Sequence, residues 1–430
     1  MLSPAERRAK INAVIRVSAG NFLEMYDFII YGYYASYIAR TFFPAENEFA
    51  SLMAALLAYG AGFLVRPIGA IVLGAYMDRK GRRKGLILSL SLMAVGTASI
   101  AFTPGYAEIG LLAPMIIVVG RLVQGFSAGV EIGGCSVYLA EIATPGNRGF
   151  YCAWQSGSQQ VAVMLSAALG VALTGILLPQ QMAEWGWRMP LVIGCLIIPV
   201  VFWLRRSLAE TEVFLCSRPP QATGEVLRLL ADNWRLVGVG VMMSILTTTT
   251  FYMITVYTPT FGTQALHLAP VDVMIVTLCV GLSNFIWLPL GGAISDRIGR
   301  RPLLFAIPAL ALATAYPLMS WLVADPSFAK LLGVELWLSF IFGVYNGSMI
   351  PLLAEMMPAR VRTAAFSLAF VTATAIFGGF TPAVSTFLIE STGNRAAPAL
   401  WLSLAAAISL TAAILSRRVS PSAGLQTVMA

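Results

Sequence analysis

Apolar runs of roughly 20 residues recur along the whole chain, separated by short segments rich in Arg, Lys, Gly and Pro. A helix of that length rises about 30 Å, the thickness of a bilayer's hydrocarbon core. The runs are apolar all round rather than alternating, which excludes the strands of a membrane barrel. Twelve spans are predicted, near 16–40, 51–76, 85–104, 111–140, 149–178, 188–204, 236–261, 271–294, 303–324, 331–357, 363–389 and 397–416. The pattern predicts an all-α membrane protein of twelve transmembrane helices.

Two repeated motifs divide the twelve. The segment Gly74 to Arg83, with Asp78-Arg79 at its centre, matches Gly292 to Arg301, with Asp296-Arg297; the two aspartates are 218 residues apart. Leu139-Ala140-Glu141, followed by Pro145 and Arg148, matches Leu353-Ala354-Glu355, followed by Pro358 and Arg362; here the glutamates are 214 apart. Two motifs repeating at about half the chain length imply two six-helix bundles of the same orientation, related by pseudo-symmetry. The least apolar internal stretch, 205–234, contains Pro219-Pro220 and is expected to link a first bundle (1–204) to a second (235–430).

Composition and charge agree with this pattern. Hydrophobic residues make up 58% of the chain and charged residues 11%, against about 25% charged in a soluble domain. Of the 28 Lys and Arg residues, 22 fall on the side that carries both termini, four (Arg40, Arg188, Lys330, Arg395) in the opposite loops, and two (Arg66, Arg121) within spans. The bias predicts cytoplasmic termini. The net charge of +8 thus reports topology, and no basic face suggests nucleic acid. No cleavable leader is expected, because Arg7, Arg8 and Lys10 run directly into the first span. The five cysteines lack paired spacing and read as packing residues. There is no phosphate-binding G-x-x-x-x-G-K-[ST] loop and no H-E-x-x-H, so neither an ATP-driven pump nor a metal or other cofactor site is expected. An enzyme is not expected either.

The candidate chemistry lies in three groups. In the repeated loops, Asp78 and Asp296 are placed to sit at the start of a neighbouring helix. Arg79, Arg82, Arg297 and Arg300 can pair with carboxylates, for which Glu141 and Glu355 are candidates. These eight form an expected cytoplasmic gate, beside the plainer reading that the arginines only enforce topology. Five ionisable residues are expected within the spans, Glu24, Asp27, Arg66, Arg121 and Glu131, all in the first half. Such charges are costly in hydrocarbon and face a cavity or a partner. Glu24 and Asp27 share a helix face, and two close carboxylates do not both ionise cheaply, so one is suited to taking up a proton. Fixed ion pairs with Arg66 or Arg121 are the alternative; Glu131 is a third proton-coupling candidate and could pair with Arg66. Arg121 is suited to gripping a substrate carboxylate, or to neutralising Asp27 in the empty protein. The third group is neutral: Asn21, Tyr26, Gln124, Gln155, Gln159, Tyr252, Asn284, Tyr345 and Asn346 are candidate substrate contacts, with helix–helix hydrogen bonding as the alternative. The first half is therefore expected to be the seat of proton coupling, and the second to supply a mostly neutral wall of Thr, Tyr and Asn.

The paired Asp-Arg loops resemble those of the major facilitator superfamily. Asn21 to Phe28, Arg66-Pro67-Ile68-Gly69, Gly120 to Glu131 and Glu184 to Arg188 resemble the metabolite–proton symporters within it. Ala35 to Pro44, Thr247 to Gly262 and Asn284 to Pro302 are similar to the bacterial citrate–proton symporters, to which tricarballylate carriers are related; Met25 stands where related carriers often have Gln or Trp. The resemblance implies import of a tricarboxylate with protons by alternating access, in inner-membrane lipid; the chain needs no partner to form a cavity, so a monomer is expected. Dicarboxylate, shikimate or betaine transport, or a sensor that binds without transporting, are the alternatives.

Overall fold

The structure is a computed structural model, and it describes residues 4–80, 82–129, 131–144, 146–206, 223–358 and 362–419. The described residues are almost entirely helical. The first span runs through Pro4–Tyr33 and, after a break at Tyr34, Ala35–Phe42. The second comprises Glu48–Leu64 and Arg66–Lys80, the third Arg82–Phe102, and the fourth Leu112–Ala128 and Glu131–Ile142. Arg148–Ile176 and Met189–Arg206 complete the first six. The seventh span begins as Trp234–Phe251 and continues through wide π-helical turns at Tyr252–Tyr257 and Phe261–Ala265. Pro270–Ile298, Arg300–Ala324 and Phe328–Met356 follow. The eleventh span is Arg362–Ala373, a π-helical turn at Thr374–Gly378, and Thr381–Thr392; the twelfth is Pro398–Val419. All twelve expected spans are present.

Interior prolines at 199, 289, 308, 317 and 351 are accommodated without ending their helices, as membrane helices allow when neighbours satisfy the freed carbonyls. Of the expected linker, 205 and 206 end the sixth span, 207–222 lie outside the described residues, and Thr223–Asp232 form a short helix before the seventh span.

Two glycine contacts decide the packing around the site. A Cβ on Gly125 would lie 1.6 Å from the Gly62 carbonyl oxygen, and one on Gly129 would lie 2.2 Å from that of Arg66. The second and fourth spans therefore touch backbone to backbone, as small residues four apart permit. Between the halves, the fifth and eighth spans do the same at Gly149 and Gly292, where an added Cβ would lie 2.5 Å from the facing carbonyl. The halves also meet where the first span packs on the seventh and the second on the eleventh.

The buried charges are not confined to the first half. Glu335, in the tenth span, is 4% exposed. This overturns the expectation that every charge buried in a span lies in the first half. Glu335 lies two turns into its helix, near enough to the span's end for an acid there to have reached water, but the helix turns it onto the seventh span instead.

Candidate functional site

The close approach of the second and fourth spans sets Arg66 and Arg121 beside the acids of the first. Glu24, Asp27, Arg66 and Arg121 are all essentially inaccessible. Arg66 Nη2 lies 3.3 Å from Glu24 Oε1, so the Arg66 pairing found is with Glu24; the side chain of Glu131 lies outside those described. Arg66 also stacks over Phe28 and Phe63, its guanidinium carbon 4.3 and 4.2 Å from the ring centres. Arg121 stacks over Phe28, Tyr31 and Tyr59 at 4.3, 4.6 and 5.0 Å. Such aromatic faces attract a desolvated cation.

Asp27 and Arg121 are joined by a relay rather than by a direct ion pair. Arg121 Nη1 donates to Gln124 Oε1 at 2.8 Å, and Gln124 Nε2 donates to Thr97 Oγ1 at 3.0 Å. Thr97 Oγ1 donates in turn to Asp27 Oδ2. Asp27 Oδ1 and Arg121 Nε and Nη2 are buried without a hydrogen-bond partner. Buried polar atoms are ordinarily satisfied, so an acid and a cation each half-engaged mark a place where a proton and an anion can be received.

The neutral candidates divide. Asn21 is buried with neither amide atom bonded. The Tyr26 hydroxyl donates to the Pro190 carbonyl at 2.8 Å and that of Tyr345 to the Met243 carbonyl at 2.8 Å, so both tie helix to helix. Asn346 Nδ2 donates to Thr247 Oγ1 at 2.8 Å while its Oδ1 has no partner. Tyr252, in the second half, packs its ring edge-on against Tyr59 and Phe63 of the first. Gln155 accepts from Ser156, and Gln159 is buried. Asn284 donates to Gln160 Oε1 at 3.1 Å and accepts from Ser339 at 2.7 Å, a bridge between the halves.

At the face that carries the termini, Asp296 accepts from the Gly149 and Phe150 backbone N–H groups at 2.9 and 3.0 Å. These amides open the fifth helix, where a carboxylate is favoured. Arg300 holds Asp296 at 2.6 Å and Glu355 at 3.4 Å, while Arg297 is exposed. The side chains of Asp78, Arg79, Arg82 and Glu141 lie outside those described.

Sequence reasoning missed Phe28, Tyr31, Tyr59 and Phe63, which enclose the cations, and Thr97 and Glu335. Glu335 carried a usable signal, as an acid inside a predicted span; the aromatics, in apolar runs, carried none. Gly125-Phe126-Ser127-Ala128-Gly129 also has the G-x-S-x-G spacing of a hydrolase nucleophile turn. Here Ser127 is the penultimate residue of the helix Leu112–Ala128, its hydroxyl donates to the Gln124 carbonyl, and the only histidine, His267, follows the seventh span.

Comparison with known proteins agrees with this architecture. A citrate-proton symporter of Klebsiella pneumoniae is 58% identical over 404 residues, covering 94% of this chain and 91% of that protein. One from Salmonella typhi is 57% identical, covering 95% of each. The alpha-ketoglutarate permease of Escherichia coli K12 is 32% identical, covering 97% of this chain and 96% of that protein. Among solved structures, a D-xylose-proton symporter superposes with a TM-score of 0.76 at 19% identity, over 96% of this chain and 98% of that one; at that identity the likeness concerns the fold. The Major Facilitator Superfamily matches residues 17–382, and this multi-pass membrane chain belongs to that superfamily.

Proposed function

We propose that the chain imports citrate, or a closely related tricarboxylate, together with protons. The observation that carries this reading is the buried relay from Asp27 through Thr97 and Gln124 to Arg121. With Asp27 ionised, the Thr97 hydroxyl is held by the carboxylate and the relay fixes Arg121. A proton on Asp27 removes the charge that holds Thr97, whose hydroxyl has a second acceptor in the Met93 carbonyl at 3.0 Å. With the Asp27 charge gone, no anion of the relay competes for Arg121, and Arg121 can offer its unpartnered Nε and Nη2 edge to a substrate carboxylate, the bidentate geometry that guanidinium favours. The high identity to citrate-proton symporters supports the same cargo and coupling.

The finer features follow from this reading. The bundles 1–204 and 235–430 rock about the relay, with 205–234 linking them. The basic termini face lies in the cytoplasm and the chain resides in the inner membrane, consistent with the positive-inside bias. The gate is the Asp296–Arg300–Glu355 cluster with its counterpart around Asp78, Arg79, Arg82 and Glu141. The chain is a carrier, not an enzyme, and one copy supplies both halves, so a monomer suffices.

The test uses purified protein in vesicles with labelled citrate. An inward proton gradient is expected to drive accumulation above the outside concentration. Asp27→Asn is expected to abolish accumulation while leaving citrate exchange measurable. Normal accumulation by that variant would remove Asp27 from coupling. Competition by tricarballylate, alpha-ketoglutarate and betaine ranks the cargo.

A further inference from the structure

Glu335 belongs to no part of the relay, yet it is buried within the tenth span, away from the Asp296 cluster at the termini face. Its Oε1 accepts from Thr258 Oγ1 at 2.9 Å, and its Oε2 is buried with no partner. Among the described residues no cation forms an ion pair with it. Near Glu335, among the described residues, the neighbouring spans turn neutral polar groups to the tenth: Thr258 from the seventh, Ser283 and Asn284 from the eighth, Thr314 from the ninth; the ninth span's Arg300 meets Glu355, at the other end of the tenth.

Thr258 sits at a singular place in the seventh span. It follows the π-helical turn Tyr252–Tyr257 and precedes Pro259. In the π pattern residue 259 would donate to the carbonyl of Ile254, but proline has no N–H. The Thr258 hydroxyl lies 2.9 Å from that carbonyl oxygen, and 3.2 Å from that of Met253. A hydroxyl carries a single hydrogen. Glu335 and the Ile254 carbonyl therefore compete for one donor. An ionised carboxylate wins, because charge-assisted bonds are the stronger. A protonated Glu335 has a hydrogen of its own to give to Thr258 Oγ1, and the Thr258 hydrogen returns to Ile254.

We propose that Glu335 is a second proton-binding site, whose occupancy is passed through Thr258 to the π-helical bend of the seventh span. The proton adds to a carboxylate oxygen and no other bond forms or breaks. This span is the most enclosed of the long apolar helices, and its wide turn packs on the first span, where an added Cβ on Gly32 would lie 2.2 Å from Val256. The state of Glu335 thus bears on the contact between the halves.

The inference rests on proton-coupled citrate transport, and the experiment separates the two. Protons taken up per citrate are counted in reconstituted vesicles for the unaltered chain and for Glu335→Gln. The ratio is expected to fall by one proton in the variant, whatever its rate. If the unaltered chain moves no protons with citrate, the transport reading fails. If it does and Glu335→Gln keeps the ratio, the second site is wrong. A variant that keeps the acid guards against misfolding. In Thr258→Val the infrared C=O stretching band that appears on acidification is expected to shift, because its partner hydroxyl is gone, and Thr258→Ser is expected to restore it. A band unmoved by Thr258→Val overturns the proposal.

Discussion

Phe28 lies with Arg66 and Arg121 both 4.3 Å from its ring centre. Two like charges share one aromatic ring, and among the described residues only Arg66 has an acid in an ion pair with it. Arg121 relies instead on three rings and Gln124, which holds it flat with one edge unengaged. A lysine here keeps the charge but neither stacks flat nor donates from two nitrogens at once. Arg121→Lys is therefore expected to weaken citrate binding by about tenfold or more, the loss of one hydrogen bond to a charged group, with little change in the amount of folded protein. Equilibrium binding of labelled citrate measures it, and unaltered affinity would take Arg121 out of the site. At this scale legibility depended on contrast. Glu24, Asp27, Arg66 and Arg121 stand out because apolar runs make any charge conspicuous. Phe28 and Tyr59 do not, since an aromatic in a span looks the same whether it faces lipid or a guanidinium. Tyr26 and Tyr345 were legible as polar groups but not as donors already committed to carbonyls.

The helices are placed by what they lack. Gly125 and Gly62 let the second and fourth spans meet along their backbones, and this contact holds the two arginines side by side. The atom that a new Cβ would strike at Gly125 is a carbonyl oxygen, not a side chain that can swing aside. Gly125→Val is expected to destabilise the first half by about 1–3 kcal/mol, the usual cost of overpacking. Gly157→Ala is a suitable control, because its Cβ would meet only Trp154 at 3.5 Å. Thermal unfolding in detergent should lower the midpoint of the first variant and leave the second near the unaltered chain. The spans themselves were legible, since hydropathy reports length directly. Their interruptions at Tyr34, Val65 and Gly129, and the π-helical turns of the seventh and eleventh spans, were not. Those depend on which carbonyls neighbouring helices satisfy, and that is a tertiary matter.

Across the whole molecule the repeat was plain in the sequence, because a turn motif copied at half the chain length survives divergence. The division of labour was not. A second half with its own buried acid is not a passive wall, and Gln160 and Asn284 tie it to the first across the long fifth and eighth helices. The contact of those two helices ends at the termini face, where Asp296 holds two amides of the opposite half. The first amides of a helix have no partner within it, and unbonded amides exchange readily with solvent deuterium. Gly149 and Phe150 are protected only while Asp296 is in place, so their deuterium uptake becomes an internal clock for separation of the two halves on that face. Asp296→Ala is expected to speed uptake at those two positions while leaving amides in the middle of the fifth helix slow. Equal uptake with and without the carboxylate would mean that this bond does not protect the two amides and cannot serve as the clock. The clock needs no probe attached, and adding citrate to the same measurement reads how often cargo sets it ticking.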